Sequence, residues 1–160
     1  NKNYLKDIIA YAKILAQRNS LLKYFAKNNT FESNTVDVYD SQLSDLSKNI
    51  YKIRKNFMDE FIPIFKNRYK SISENNEEVD IVYKSDLNDG DLLELLKNSI
   101  QKDLILQYTS KGTHKDDLIF LIHLDSLFLN KLQYHHGHQL QYMVLFYSLK
   151  KHNQLRYELI

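Results

Sequence analysis

Cysteine and tryptophan are absent from the 160 residues, and glycine (3) and proline (1) are scarce. Without cysteine there is no disulfide framework, thiolate metal site or thiol nucleophile, which fits a reducing compartment. All three glycines lie after residue 89, so no glycine-rich phosphate loop exists in the first half. So little punctuation points to long helices. Long apolar runs are missing too. Residues 118–122 and 142–149 fall far short of the roughly 20 residues that span a bilayer. Residues 1–15 carry Asp7 and helical spacing in place of a signal peptide's apolar block. The chain starts without Met, inside what reads as a helix, and the expectation is an internal piece of a longer protein.

What is present is ordinary in bulk: 43% hydrophobic, 26% charged, net charge +2. That balance suits a folded domain and excludes a disordered tail. The length allows one modest core or part of a larger one. Charge is uneven along the chain. Residues 1–72 hold 13 Lys/Arg against 7 Asp/Glu, residues 73–106 hold 3 against 9, and residues 107–160 hold 6 against 4. A basic section followed by an acidic one is a pointer to partners.

The spacing predicts a helix over 3–27, with Leu5, Ile8, Ala12, Leu15, Asn19 and Leu22 on one face. Asn28-Asn29-Thr30 should stop it, because Asn tolerates left-handed geometry. A second, longer helix is expected over 35–72, capped by Thr35. Leu43, Leu46, Ile50, Ile53, Phe57, Phe61 and Ile64 form a heptad-like seam along it. Pro63 should kink it or mark its last third. Beyond Phe57 the apolar set widens, which predicts burial on more than one side. The short polar link favours an antiparallel helix hairpin. Val79, Ile81 and Tyr83 alternate as a half-buried strand. Asn88-Asp89-Gly90 is turn chemistry, and a third helix is expected from Asp91 to about residue 107. Residues 107–110 read as extended, 111–117 as a polar loop and 118–124 as a strand. Residues 128–132 are its candidate hairpin partner, and 139–157 read as a further helix.

Chemistry-bearing clusters are few. Gly112-Thr113-His114-Lys115-Asp116-Asp117 sets a histidine beside two carboxylates, a pattern open to acid–base work. Successive strand residues point to opposite faces, so the two Asp are not a ready dyad. The competing reading is a loop entering a strand, with one Asp capping backbone amides. His135, His136 and His138 offer a partial metal site or a solvated loop. Lys52, Arg54, Lys55, Lys66, Arg68 and Lys70 form a basic stripe that suits phosphates or simply a solvated helix face. No catalytic residue and no metal ligand is assigned.

Several stretches match a known pattern. Tyr11, Lys13, Leu15, Gln17, Arg18, Asn19, Leu21, Leu22 and Lys23 fill Y-x-K-x-L-x-Q-R-N-x-L-L-K. Val38-Tyr39-Asp40 with Gln42-Leu43, and Arg54-Lys55 leading to Phe61-Ile62-Pro63-Ile64-Phe65, follow in order. Gly112, His114, Lys115, Asp116 and Asp117 fill G-x-H-[KR]-D-D-[LF]. Over residues 4–132 the chain resembles the RecF family, bacterial recombination mediators of the ABC/SMC-like ATPase class. Beyond residue 132 it departs. Only Gly137 and Gln139 match the family's signature loop, which caps a nucleotide bound by the partner subunit.

The resemblance implies a mostly α fold with a small β part. Residues 1–106 would be an antiparallel helical lobe, a long helix hairpin plus a third helix. Residues 107–160 would return partway into an ABC-type ATPase head as a β-hairpin and helix, with 133–160 diverged. It implies DNA binding at gaps and junctions, ATP with Mg in the full-length family, RecO and RecR as partners, homodimerisation, and a cytoplasmic role in repair, replication, recombination and the SOS response, with no membrane. The family's phosphate loop and Walker B Asp would lie outside this sequence, so the 160 residues alone are expected to hold no cofactor and to be inactive as an ATPase. The rivals are a helical scaffold module that does not bind DNA and a decayed, non-functional fragment.

Overall fold

The structure, a computed structural model, describes residues 2–73 and 77–124, with side chains to residue 121. The element order is α1 (Lys2–Asn28), α2 (Ser33–Ile72), β1 (Glu77–Lys84), α3 (Leu92–Leu106) and β2 (Asp117–Leu124). Short 3₁₀ turns at Asp86–Asn88 and Thr113–Lys115 flank α3 and its trailing loop. No described helix is long and apolar enough to cross a membrane.

Local chemistry sets most boundaries. α1 contains neither Gly nor Pro and stops where Asn29 adopts φ +51°. There the Thr30 amide donates back to the Phe25 carbonyl at 3.2 Å. α2 starts at Ser33, two residues before the expected cap. Thr35 instead lies in the first turn and donates its hydroxyl to Glu32. The helix runs on past Pro63 to Ile72. Asp91 caps α3 by accepting from the Leu93 amide at 2.8 Å, and Gln107 ends it with φ +59°.

The chain divides into two compact units. The first is Asn1–Phe57 with Lys84–Asp117. Here α1 and the front of α2 form the expected antiparallel hairpin. Tyr4 meets Arg54, Tyr11 meets Ser47, and Arg18 meets Asp40. Each step is seven residues on both helices, the spacing of a packed helix seam. Tyr11, Leu43, Ile50, Leu92 and Leu96 make the buried core, so α3 closes against the pair.

The seam differs from the one expected from apolar spacing. Leu5 is 60% exposed and Ala12 is exposed; Leu22 is buried as expected, and Tyr11, Arg18 and Phe25, which lie off the expected face, are buried with it. On α2, Asp40, Ser44 and Ser47 are buried with Leu43 and Ile50. Phe57 and Ile64, expected on the seam, are exposed at 60% and 61%, and Met58 is buried in their stead. Polar residues hold seam positions here, and a reading by hydrophobicity alone rotates each face away from them.

The second unit, in its described residues, is 58–73, 77–83 and 118–124. Phe61, Phe65 and Tyr69 meet as tilted ring pairs at four-residue steps, with centroids 5.9 and 6.0 Å apart. Phe120 meets Phe65 edge-on at 6.2 Å. β1 alternates as expected, with Val79 and Ile81 buried. Among the described residues β2 pairs with β1, in a two-stranded antiparallel sheet. The local hairpin with 128–132 was the sequence expectation. That segment, the His135–His138 cluster with Gly137 and Gln139, and the helix expected over 139–157 all lie outside the described residues.

Candidate functional site

The first unit holds its polar side chains in three adjoining clusters where the loop after α3 crosses the helix seam. The first centres on Arg18, which is 0% exposed. Its Nε donates to Asp40 Oδ1 at 2.6 Å, and its Nη1 donates to Asp103 Oδ2 at 2.8 Å and Thr109 Oγ1 at 2.9 Å. α1, α2, α3 and the trailing loop thus meet on one guanidinium. Asp103 Oδ1 also accepts from the amide and hydroxyl of Ser110, and Asn19 accepts from the amide and hydroxyl of Thr109. Burial pushes the Asp40 carboxyl above its usual range, and the Arg18 guanidinium opposes that shift. One buried cation between two buried carboxylates tolerates no unpaired member. Arg18 Nη2 is buried with no hydrogen-bond partner among the described residues.

The second cluster is built on Tyr11 and His114. His114 Nε2 lies 3.0 Å from the Thr109 carbonyl, and its Nδ1 lies 2.8 Å from the Tyr11 hydroxyl. A carbonyl can only accept, so Nε2 carries the proton and Nδ1 accepts from Tyr11. Burial lowers the imidazole pKa, and Lys115 adds to the effect against the Thr109 carbonyl. Burial also raises the Tyr11 phenol, which keeps its proton for donation. Gly112 is required at this point. It sits at φ +128°, and a Cβ there would stand 2.5 Å from the Tyr11 hydroxyl oxygen. Its amide donates to Asp86 Oδ2 at 2.9 Å, and Lys111 Nζ meets Asp86 Oδ1 at 2.8 Å.

The third cluster is Arg54. Its Nη1 donates to Asp116 Oδ2 at 2.5 Å and to the Thr113 carbonyl at 2.7 Å, while Nε donates to Tyr4 at 3.0 Å. Lys115 extends over the Tyr108 ring, 5.3 Å from its centroid. Asp117 opens β2.

The structure therefore brings Gly112, His114 and Asp116 of the motif together with Tyr11 and Arg54 of the hairpin. Both ring nitrogens of His114 are engaged within the fold, and Asp116 holds a guanidinium. The geometry is that of a clamp fastening the 109–117 loop across two helices, with β2 starting where the clamp ends. Among the described residues no group of three or more His, Asp or Glu could hold a metal ion. Of the basic stripe, Arg54 belongs to the clamp and Lys66 pairs with Asp80 at 3.2 Å. Lys52, Arg68 and Lys70 are exposed, and Lys55 is half-buried. Sequence reasoning did not find the Arg18, Asp40, Asp103 and Thr109 cluster. Its signals were the seven-residue step through Tyr4, Tyr11, Arg18 and Phe25 and the place of Arg18 and Asp40 in the matched stretches.

No family model matches the chain. By sequence it is 48% identical over 122 residues to the DNA replication and repair protein RecF of Flavobacterium johnsoniae, covering 76% of this chain and 34% of that protein. RecF of Bacteroides thetaiotaomicron is 38% identical over 122 residues, 76% of this chain and 32% of that one. RecF of Cytophaga hutchinsonii is 36% identical over 147 residues, 92% and 37% respectively. Two solved structures of the recombination mediator protein RecF in the RecFOR pathway are similar in fold. One, RecF-ATPrS, matches with TM-score 0.70 at 27% identity, covering 76% of this chain and 35% of that chain. The other, RecF-ATP, matches with TM-score 0.68 at 29% identity and the same coverage. The chain spans about a third of the length of the relatives it matches. With the helix hairpin, the third helix and the clamp motif in the expected order, and with sequence and fold agreeing on the same relatives, the chain belongs to the RecF family.

Proposed function

We propose that this chain is the helical lobe of a RecF-type DNA replication and repair protein, and that it contacts DNA at gaps and junctions. The observation that carries the reading is the joint match in sequence and fold to RecF proteins. In the whole protein, binding would depend on ATP with Mg, a homodimer would form, and RecO and RecR would act with it in the cytoplasm. Its roles would be DNA recombination, repair, replication and the SOS response. The lobe's part is mechanical: a helix hairpin fastened to the loop leading into β2.

The described residues do not fit a nucleotide's phosphates. A phosphate nest needs successive free amides on a glycine-rich loop. The two described glycines are 22 positions apart in sequence, and the Gly112 amide already donates to Asp86. No step through ATP is assigned to these residues, and titration calorimetry of the 160 residues should show no ATP binding. A gel shift at low salt tests the main reading. A gapped duplex should be retarded, and the band should be lost as salt rises. Unchanged mobility would favour the second reading, a helical scaffold without DNA contact. That alternative draws support from the pairing of Arg54 with Asp116 and of Lys66 with Asp80, which removes two cations from the α2 stripe.

A further inference from the structure

The α2 stripe is not where most of the uncompensated charge lies. α2 carries seven Lys/Arg and five Asp/Glu, and Lys48, Arg54 and Lys66 are each in an ion pair. α1 carries six Lys/Arg and one carboxylate, Asp7. Its arginine, Arg18, is buried between Asp40 and Asp103. The five lysines Lys2, Lys6, Lys13, Lys23 and Lys27 are all exposed, and none forms an ion pair among the described residues.

Helix geometry turns those five into one surface. At 3.6 residues per turn they fall within an arc of about 100°, centred opposite the seam residues Tyr4, Tyr11, Arg18 and Phe25. Asp7 falls on the seam side and is half-buried. The lysines extend over about 38 Å of helix at 1.5 Å per residue. That length is close to one turn of B-DNA, about 34 Å. The face is cationic and, on α1, without a neutralising carboxylate. A single strand would want a row of stacking rings, and Tyr24 is the one exposed aromatic of α1. Lysine ammoniums act as point charges and read no base edges.

We infer that the outer face of α1, through Lys2, Lys6, Lys13, Lys23 and Lys27, is the surface this lobe presents to the phosphate backbone of duplex DNA. The inference rests on the DNA-binding reading above and moves the contact from α2 to α1. Binding there is independent of sequence, and its strength comes from counterion release.

The test is fluorescence anisotropy of the full 160-residue chain with a labelled random-sequence duplex, titrated at about 50 to about 200 mM salt. Two variants are compared, K6Q/K13Q/K27Q on α1 and K52Q/R68Q/K70Q on α2. Gln keeps helix propensity, so circular dichroism should be unchanged for both. Removing three phosphate contacts should flatten the log–log salt slope by about 2.7, so that the affinity lost over that salt range shrinks about 40-fold for the α1 variant. The α2 variant should retain the parent slope. The reverse pattern, α2 variant flattened and α1 variant unchanged, overturns the inference and leaves DNA binding standing. Failure of the parent chain to bind the duplex at low salt overturns both. Displacement of the duplex by poly-glutamate at equal charge concentration would reassign the face to an acidic protein surface and so also overturn it.

Discussion

The front and rear halves of α2 solve burial in opposite ways. The front half, in the first unit, buries Asp40, Ser44 and Ser47 beside Leu43 and Ile50, and half-buries Arg54. The rear half, in the second unit, buries Met58 and lines up Phe61, Phe65 and Tyr69, with Phe120 edge-on against Phe65. One surface is held by directional bonds between buried atoms; the other relies on tilted ring contacts and apolar area, its bonds Tyr69–Glu77 and Lys66–Asp80 lying nearer the solvent. Directional bonds fix a register, because a shifted seam leaves charges unpaired. Apolar packing accepts substitution so long as volume is kept. The first unit should therefore be brittle to single changes and the second forgiving.

Substitutions can break or sharpen that contrast. Arg18→Met should have the largest effect, since it strands the Asp40 and Asp103 carboxylates in the interior. A cost of about 3–5 kcal/mol is expected in urea denaturation, and Arg18→Lys should not restore it, because an ammonium cannot reproduce the planar fork. Gly112→Ala comes next. Its Cβ would collide with Tyr11 at a backbone angle that L-residues avoid, and a loss of about 2–3 kcal/mol is expected by the same measurement. In the second unit Phe65→Leu should cost only about 1 kcal/mol, since the neighbouring rings can close over the smaller side chain. A larger loss there than for Gly112→Ala would reverse the contrast.

The smallest effect is one of pH. His114 titrates below its ordinary value in the fold because burial disfavours its charged form. As pH falls below the unfolded pKa of about 6.5, the unfolded chain takes up the proton first. The stability contributed by neutral His114 is complete above that value and is lost as pH drops toward the folded pKa. Protonation would also turn Nδ1 into a donor facing the Tyr11 hydroxyl. Denaturation midpoints should decline across that window in the parent chain, and the decline should be shallower in His114→Gln.

Much of the fold was legible because few breakers interrupt the pattern. The α1 stop at Asn29, the Asp91 cap of α3 and the alternation of Val79 and Ile81 could all be read from neighbours in sequence. Tertiary partners could not. Arg18 is bonded to Asp40 and Asp103, which lie 22 and 85 positions away, and charged residues are discounted when a buried face is sought by hydrophobicity. Arg54 reads as one more cation on a basic helix until Asp116, 62 positions on, is brought against it. The motif from Gly112 to Asp117 stood out by density. Its role depends on Tyr11, whose hydroxyl explains the missing side chain at Gly112 and donates to the His114 nitrogen that the Thr109 carbonyl leaves unprotonated. The pairing of β2 with β1 spans α3, so no neighbour in sequence announces it.

The central claim is that the 109–117 loop is fastened to the helix hairpin by specific bonds, and a double-mutant cycle on Arg54 and Asp116 tests it most directly. Arg54→Met, Asp116→Asn and the double variant are compared by urea denaturation. The account predicts that the second replacement costs far less than the first, with a coupling of about 1.5 kcal/mol or more. Costs that add to within about 0.5 kcal/mol would contradict it.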